Sequence, residues 1–141
     1  MKELEKWQLG YIAGIIDGEG CIGLAHTKRY YAPHITVNMT HELTVKTLYY
    51  STGLGTVCQR KAPLKKETYK VNWHWQVQTF AEIHCLLRLI LPYLIVKREL
   101  AELMLQYCER RLLEMPYSQA DDVVFGKMQG LNKDVGKGLT S

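Results

Sequence analysis

Two carboxylates in the stretch "YIAGIIDGEGCIGL", residues 11–24, have the type and spacing to do chemistry. Asp17 and Glu19 follow a run of Ile, Ala and Gly that reads as the C-terminal end of a helix. Acids at that end face the negative pole of the helix dipole, which costs up to about 1 kcal/mol unless a positive group lies beside them. The placement therefore favours a bound cation, with two exposed turn acids as the alternative.

A short basic segment is the second candidate, because five cations lie between positions 60 and 70 beside a single acid, Glu67. These cations are Arg60, Lys61, Lys65, Lys66 and Lys70. The formal net charge of the whole chain is only +4, so composition permits a nucleic-acid partner without requiring one. The segment is either a solvated hairpin tip or a contact for phosphate groups.

The cysteines and the apolar runs argue against several classes of protein. The four cysteines stand far apart and form no C-x-x-C or Cys/His pattern, which supports neither a zinc site nor a disulfide framework. They are Cys21, Cys58, Cys85 and Cys108. No apolar run reaches the length of a membrane span, and the stretch "MKELEKWQLG" carries acids, unlike a secretory signal. We expect a one-domain, intracellular protein in a reducing compartment, cytoplasmic, or nuclear or organellar in a eukaryote.

Hydrophobic periodicity predicts the elements that must position these residues. The predicted helices cover residues 3–17, 41–52, 79–92 and 96–114. The predicted strands cover residues 21–30, 34–40, 55–61 and 68–78, with a turn over residues 30–33. Gly53 is expected to stop the second helix, and Thr79 with Glu82 to open the third as a capping box. The order predicts an α+β fold, αββαββαα, in which an antiparallel sheet carries helices on its apolar face.

The other face of this sheet is predicted to be polar and open. On the second strand His34, Thr36 and Asn38 alternate with apolar residues, and the fourth strand repeats the pattern. Trp73 and Trp75 share the apolar side of that strand, which indicates core positions rather than base-stacking platforms. Antiparallel ribbons can read base edges in the major groove. The predicted DNA contacts are Thr27, His34, Thr36, Asn38, Thr40, Arg60, Lys61, Lys65, Lys66, Lys70, Asn72, His74 and Gln76.

Small residues form a stripe along the first helix. Gly10, Gly14 and Gly18 recur every four residues, and Ala13 lies beside them. Glycine inside a helix costs roughly 1 kcal/mol relative to alanine, so three in register indicate that another backbone comes very close. Four-residue spacing of small residues is how two helices achieve such an approach.

Two stretches carry a family resemblance. "IAGIIDGEG", residues 12–20, resembles the LAGLIDADG motif of homing endonucleases, with Glu19 in place of the second Asp. "LPYLIVKRE", residues 91–99, resembles the second conserved stretch of that family, whose basic residue falls on Lys97. The likeness covers about residues 5–115, which predicts an endonuclease domain over residues 1–116. Residues 117–141 are expected to be an extension, weakly helical and then flexible.

The resemblance implies a site-specific double-strand DNA endonuclease, intron-encoded or free-standing. It would hydrolyse phosphodiester bonds in a long pseudo-palindromic target with Mg²⁺ or another divalent cation such as Mn²⁺. Glu19 would bind the metal together with the Gly18 carbonyl, and Lys97 would lie beside the scissile phosphate. His41 falls about where the family often places a glutamine that orders water, although it could instead help begin the second helix.

The single motif copy is similar to the family members that act as homodimers. The resemblance implies that the first helix packs against its copy across a two-fold axis. The implied interface residues are Gly10, Ala13, Gly14 and Asp17.

Other functions remain open on the same scaffold. Some intron-splicing maturases of this family bind structured RNA without cutting it, and a DNA-binding regulator could have lost catalysis. Retention of both Glu19 and Lys97 weighs against that loss. A simple dimerisation module would leave the polar sheet face unexplained.

Overall fold

A computed structural model describes residues 3–61 and 71–140, and within these ranges the chain forms five α-helices and four strands. In chain order they are α1 (Lys6–Glu19), β1 (Gly20–His26), β2 (Tyr31–Met39), α2 (Glu42–Thr52), β3 (Thr56–Lys61), β4 (Val71–Val77), α3 (Phe80–Ile90), α4 (Arg98–Leu112) and α5 (Gln119–Thr140). A short 3-10 helix, Leu91–Tyr93, joins α3 to α4. The predicted α+β fold with an antiparallel sheet is confirmed.

The strands form one sheet in the order β1-β2-β4-β3, with every neighbouring pair antiparallel. Side chains alternate across β2, so Ile35 and Val37 are fully buried while His34 and Thr36 lie on the opposite face. The helices cover the apolar face, where Trp75 is fully buried. The core position predicted for Trp75 is therefore confirmed, and Trp73 is partly buried against the same core.

The first hairpin turns earlier than the sequence indicated. Thr27 closes the turn, since its Oγ1 donates to the Tyr30 carbonyl at 2.5 Å and accepts the Tyr30 N–H at 3.0 Å. β2 begins at Tyr31, so the turn predicted over residues 30–33 is wrong. Pro33 is tolerated inside the strand because the ladder with β4 starts only at Ile35.

Two helix ends follow the predicted local chemistry. The Gly53 C-cap of α2 has φ +69°, a left-handed conformation that glycine adopts without steric cost, and its N–H donates to the Tyr49 carbonyl at 2.7 Å. At the start of α3, the Thr79 hydroxyl accepts the Glu82 N–H at 3.2 Å. The Glu82 carboxylate accepts from the Thr79 hydroxyl and the Gly55 N–H instead of the Thr79 N–H. Only one of the two bonds of the predicted capping box is therefore formed, the one to the Thr79 hydroxyl.

The C-terminal tail forms a 22-residue helix, α5, which packs against α4 and β1. Asp121, at its first turn, is 1% exposed and accepts bonds from Arg110 Nε at 3.0 Å and Arg111 Nη2 at 3.3 Å. Further along, Asn132 Nδ2 donates to the Ile22 carbonyl at 3.1 Å. Because β1 is an edge strand of the sheet, this bond satisfies a carbonyl outside the ladder.

Candidate active site and nucleic-acid interface

The motif acids lie where α1 turns directly into β1. Gly20 makes this turn possible, because a Cβ there would lie 2.9 Å from the Ile16 carbonyl oxygen and 3.2 Å from the Thr36 carbonyl oxygen. Glu19 precedes it as the last residue of the helix and is exposed. No described residue forms an ion pair with Glu19, so its carboxylate is available to a ligand.

Asp17 has a different role, because its carboxylate is occupied inside its own chain. Oδ1 accepts the Lys97 N–H at 2.9 Å, and Oδ2 accepts the Ile95 N–H at 2.7 Å. These bonds hold the turn before α4 against the end of α1. The resemblance implied that Asp17 belongs to a dimer interface, whereas its carboxylate makes these bonds within one subunit.

Lys97 is buried beside Asp17 and Glu19. It is 3% exposed, and its Nζ donates to the Asp17 carbonyl at 2.6 Å. Burial lowers the pKa of Lys97, and the charges of Asp17, Cys21 and Glu19 oppose that shift. The structure brings Glu19 and Lys97, which are 78 positions apart in the chain, into one region of the molecule.

Glu19 and Lys97 line a common cleft of about 470 Å³. His34 on the polar sheet face lines it as well. The opposite wall comes from α5, through Phe125, Met128, Gln129 and Asn132. Sequence reasoning missed this wall, although the helical spacing of Val124, Met128 and Leu131 is the signal of a helix that packs against the core.

His41 caps α2. Its Nδ1 accepts the Thr44 N–H at 3.3 Å and lies 2.7 Å from the Thr44 hydroxyl. This geometry supports the interpretation that His41 helps begin the second helix. The described lining of the cleft is made by other residues, and the water-ordering role of His41 stays a prediction.

The open sheet face brings together most of the predicted DNA contacts. Strand pairing sets Thr36 beside Gln76, Asn38 beside His74, and Arg60 beside Asn72, all on the face opposite the core. Thr27 lies in the β1–β2 turn, and Thr40 is exposed just after β2. Lys61 ends the ladder opposite Val71; its side chain, like residues Lys65, Lys66 and Lys70, lies outside the described part of the chain. Contact of these residues with DNA stays a prediction.

Two histidines on this face resist protonation. Burial lowers the pKa of His34, and burial together with the charge of Arg60 lowers the pKa of His74. The Nδ1 atoms of both rings are buried and have no hydrogen-bond partner among the described residues. The ring atom left for a further contact is Nε2, which in His74 lies 3.3 Å from Gln76 Oε1, and the tautomer of each neutral imidazole decides whether Nε2 donates or accepts.

Acidification is expected to destabilise the fold through these two histidines. A histidine in the unfolded chain has a pKa of about 6.5 and takes up protons that the folded protein resists. The stability from the neutral rings is therefore complete above that pH and is lost as the pH falls below it. Thermal melts between about pH 7.5 and about pH 5 measure this effect. Over that range we expect the double variant His34→Gln/His74→Gln to lose about 1 kcal/mol less free energy of unfolding than the wild type. Equal losses in both proteins would contradict this; His26→Gln, which removes an exposed histidine, is the control.

The glycine stripe on α1 is open rather than covered. A Cβ added at Gly14 or Gly18 would meet no atom within 4 Å, and Trp7 and Tyr11 beside them are 69% and 44% exposed. The stripe predicts that another backbone packs closely against it, and the described part of this chain provides no such backbone at Gly14 or Gly18. Ala13 is an exception: it is 0% exposed and packs in the core of its own subunit, so its assignment to the dimer interface is wrong.

Solved homing-endonuclease structures resemble this chain over nearly its whole length. The homing endonuclease I-CvuI, in complex with I-CreI target DNA, aligns with a TM-score of 0.64 and 22% identity over 93% of this chain and 81% of its own. The archaeal intron-encoded homing endonuclease I-Vdi141I, complexed with DNA, gives a TM-score of 0.68 at 14% identity over 95% and 85%. The LAGLIDADG homing endonuclease I-GzeII, in complex with its DNA target, gives 0.62 at 14% identity over 87% and 43%.

Sequence comparison alone does not find these relationships. No protein-family model matches the chain, and neither does any curated protein sequence.

Within the described ranges, no helix combines the length and apolar content needed to cross a bilayer. The three alignments have TM-scores of 0.62 to 0.68. The chain therefore has the fold of the LAGLIDADG homing endonucleases.

Proposed function

We propose that this protein is a LAGLIDADG homing endonuclease: a homodimer that cuts double-stranded DNA at a specific site with a divalent metal ion. One observation carries the proposal. An exposed acid without a described ion-pair partner, Glu19, and a buried lysine, Lys97, share one cleft at the border of a polar sheet face. I-CvuI, I-Vdi141I and I-GzeII, which have this fold, were captured in complexes with DNA, which supports the same class of ligand here.

The open face of α1 supports a dimer. Trp7 and Tyr11 expose large aromatic surfaces beside Gly14 and Gly18, which leave room for another backbone to approach. A second copy of the same helix fits this shape, because a two-fold interface places the same patch on both subunits. Such packing would bring the two copies of Glu19 toward each other at the ends of the paired helices.

The donor set fits Mg²⁺ that is shared between subunits and substrate. Among residues 3–61 and 71–140, no three His, Cys, Asp or Glu side chains converge on a point that could hold a metal ion. Mg²⁺ in phosphoryl-transfer sites typically takes one or two carboxylates, substrate phosphate oxygens and waters rather than a complete protein cage. Glu19 with the Gly18 carbonyl would hold it, with the other ligands from the partner and the DNA. When bound, the ion would neutralise charge on the phosphate and activate water.

Lys97 supplies the second part of the chemistry. Phosphodiester hydrolysis builds negative charge on the phosphate oxygens and on the leaving oxygen. The Lys97 ammonium is fixed by its bond to the Asp17 carbonyl and is shielded from solvent, so it stabilises that charge without reorganising. Among the described residues no further side chain must act as the general base, and ordered water is the proposed proton acceptor.

The sheet face supplies recognition. Its side chains offer donors and acceptors, while Arg60 and the basic residues that follow it offer charge to phosphates. A two-fold dimer would read two half-sites, and its target is therefore a pseudo-palindrome. The cysteines in the structure are free thiols, which supports a reducing compartment.

Selection of cleaved sites from a randomised palindromic DNA library tests this function. With Mg²⁺ present, we expect cleavage of a narrow set of two-fold-related sequences, and no cleavage when the metal is withheld. Affinity for the selected site should fall by several powers of ten between about 50 and 200 mM salt, because cations contact phosphates. Absence of cleavage, together with structured RNA competing better than any duplex, would instead assign the scaffold to RNA binding.

A further inference from the structure

The bonding between the end of α1 and the start of α4 assigns a role to the first acid of the motif. We propose that Asp17 is a positioning residue for DNA cleavage, because it fixes Lys97 in the cleft next to Glu19. This inference rests on the proposed endonuclease function. Asp17 itself points its carboxylate at backbone N–H groups and does not need to touch substrate or metal.

The two residues hold each other through bonds that run in opposite directions. The Asp17 side chain accepts the backbone N–H of Lys97 at 2.9 Å, and the Lys97 side chain donates to the backbone carbonyl of Asp17 at 2.6 Å. The two bonds close a ring that ties both the backbone and the ammonium of Lys97 to the same residue at the end of α1.

The turn that carries Lys97 depends on this anchor. Leu94 anchors the start of the turn, at 2% exposed, but Ile95 is 84% exposed and Val96 is 57% exposed, so apolar burial does not hold the rest of it. Lys97 is the N-cap residue of α4, and its side chain accepts no N–H of that helix. The N–H of Lys97 itself is satisfied by Asp17, 80 positions away in the chain.

The charge of Asp17 also acts on the ammonium. Burial lowers the pKa of Lys97, and Asp17 is the strongest of the neighbouring groups that raise it again. Loss of the Asp17 charge is expected to lower the pKa of Lys97 further, so that the lysine loses its proton at a lower pH. This gives a readout that a purely structural role would not move.

The experiment compares Asp17→Asn with wild type on the selected DNA target. We expect the single-turnover cleavage rate to fall by about 10–100-fold, the size of effect typical for residues that hold a catalytic group in position without touching the substrate. The alkaline limb of the pH–rate profile should move to lower pH, while the affinity for DNA with Ca²⁺ in place of Mg²⁺ stays within about twofold. Glu99→Gln, which removes an exposed acid from the first turn of α4, should change none of these quantities.

The outcomes separate this inference from the proposed function. If wild-type protein cuts no target, the endonuclease function itself fails. If wild type cuts and Asp17→Asn keeps its rate and alkaline limb, Asp17 is not a positioning residue. If Asp17→Asn does not fold, Asp17→Glu replaces it. This variant keeps the charge but displaces the carboxylate by one methylene from the N–H groups of Ile95 and Lys97. A lower cleavage rate with an unmoved alkaline limb then supports the positioning role, and an unchanged rate overturns it.

Discussion

A Glu19→Gln variant is expected to bind target DNA as tightly as wild type and to cleave it at least about 10³-fold more slowly with Mg²⁺ present. Glutamine keeps the size and shape of the side chain but removes the charge that an ion needs. Glu19 is exposed and makes no ion pair with any described residue, so the substitution leaves the packing of α1 intact. The lost rate corresponds to several kcal/mol of stabilisation in the transition state.

The measurement pairs single-turnover cleavage in Mg²⁺ with a gel-shift affinity in Ca²⁺. Glu102→Gln, on the exposed side of α4, is the matched control and should retain wild-type rate and affinity. Cleavage by Glu19→Gln at the wild-type rate would exclude Glu19 as the metal-binding carboxylate. Loss of DNA binding along with cleavage would indicate that Glu19 serves recognition rather than catalysis.

Local patterns predicted the parts of the fold that depend on neighbouring residues. Alternation along β2 separated His34 and Thr36 from the buried Ile35 and Val37, because a strand places successive side chains on opposite faces. Gly53 marked the end of α2, because few other residues adopt its left-handed backbone. The polar face and the helix stops could therefore be predicted without any tertiary information.

The arrangement of the candidate site could be predicted only in outline. A nine-residue motif and a distant basic residue identified Glu19 and Lys97, but the reciprocal bonds between Asp17 and Lys97 join positions 80 apart and leave no periodic signal. Ala13 was assigned to the interface because it lies beside the glycine stripe of α1, a helix with apolar residues on almost every side. On such a helix, the pattern alone does not distinguish the buried side from the open one.

The packing of the C-terminal helix could not be predicted from the sequence pattern either. Its polar residues suggested a weak helix, yet Asp121 is buried because Arg110 and Arg111 neutralise it. Asn132 reaches the edge of β1 through a bond that spans 110 positions. Contacts of this kind arise from tertiary structure, and they place α5 as a wall of the cleft, where Gln129 is exposed.

A Trp75→Ala variant is expected to lose about 3–5 kcal/mol of unfolding free energy, a large part of the roughly 5–15 kcal/mol typical of a domain. Trp75 is fully buried at the centre of β4, where it pairs with Val37 and Val57. Its indole N–H donates to the Leu54 carbonyl at 2.9 Å. Truncation therefore opens a cavity and leaves a partly buried carbonyl without its partner.

The neighbouring tryptophan provides the matched control in urea denaturation followed by circular dichroism. Trp73 lies on the same strand and the same face but is only partly buried, with the Lys46 ammonium 4.8 Å from the centre of its ring. Trp73→Ala should lose about 1–2 kcal/mol, since less apolar surface leaves the core. Because the apolar face of the sheet is the support for its polar face, Trp75→Ala should also weaken DNA binding as it unfolds. Equal losses in the two variants would show that Trp75 is not the centre of the core.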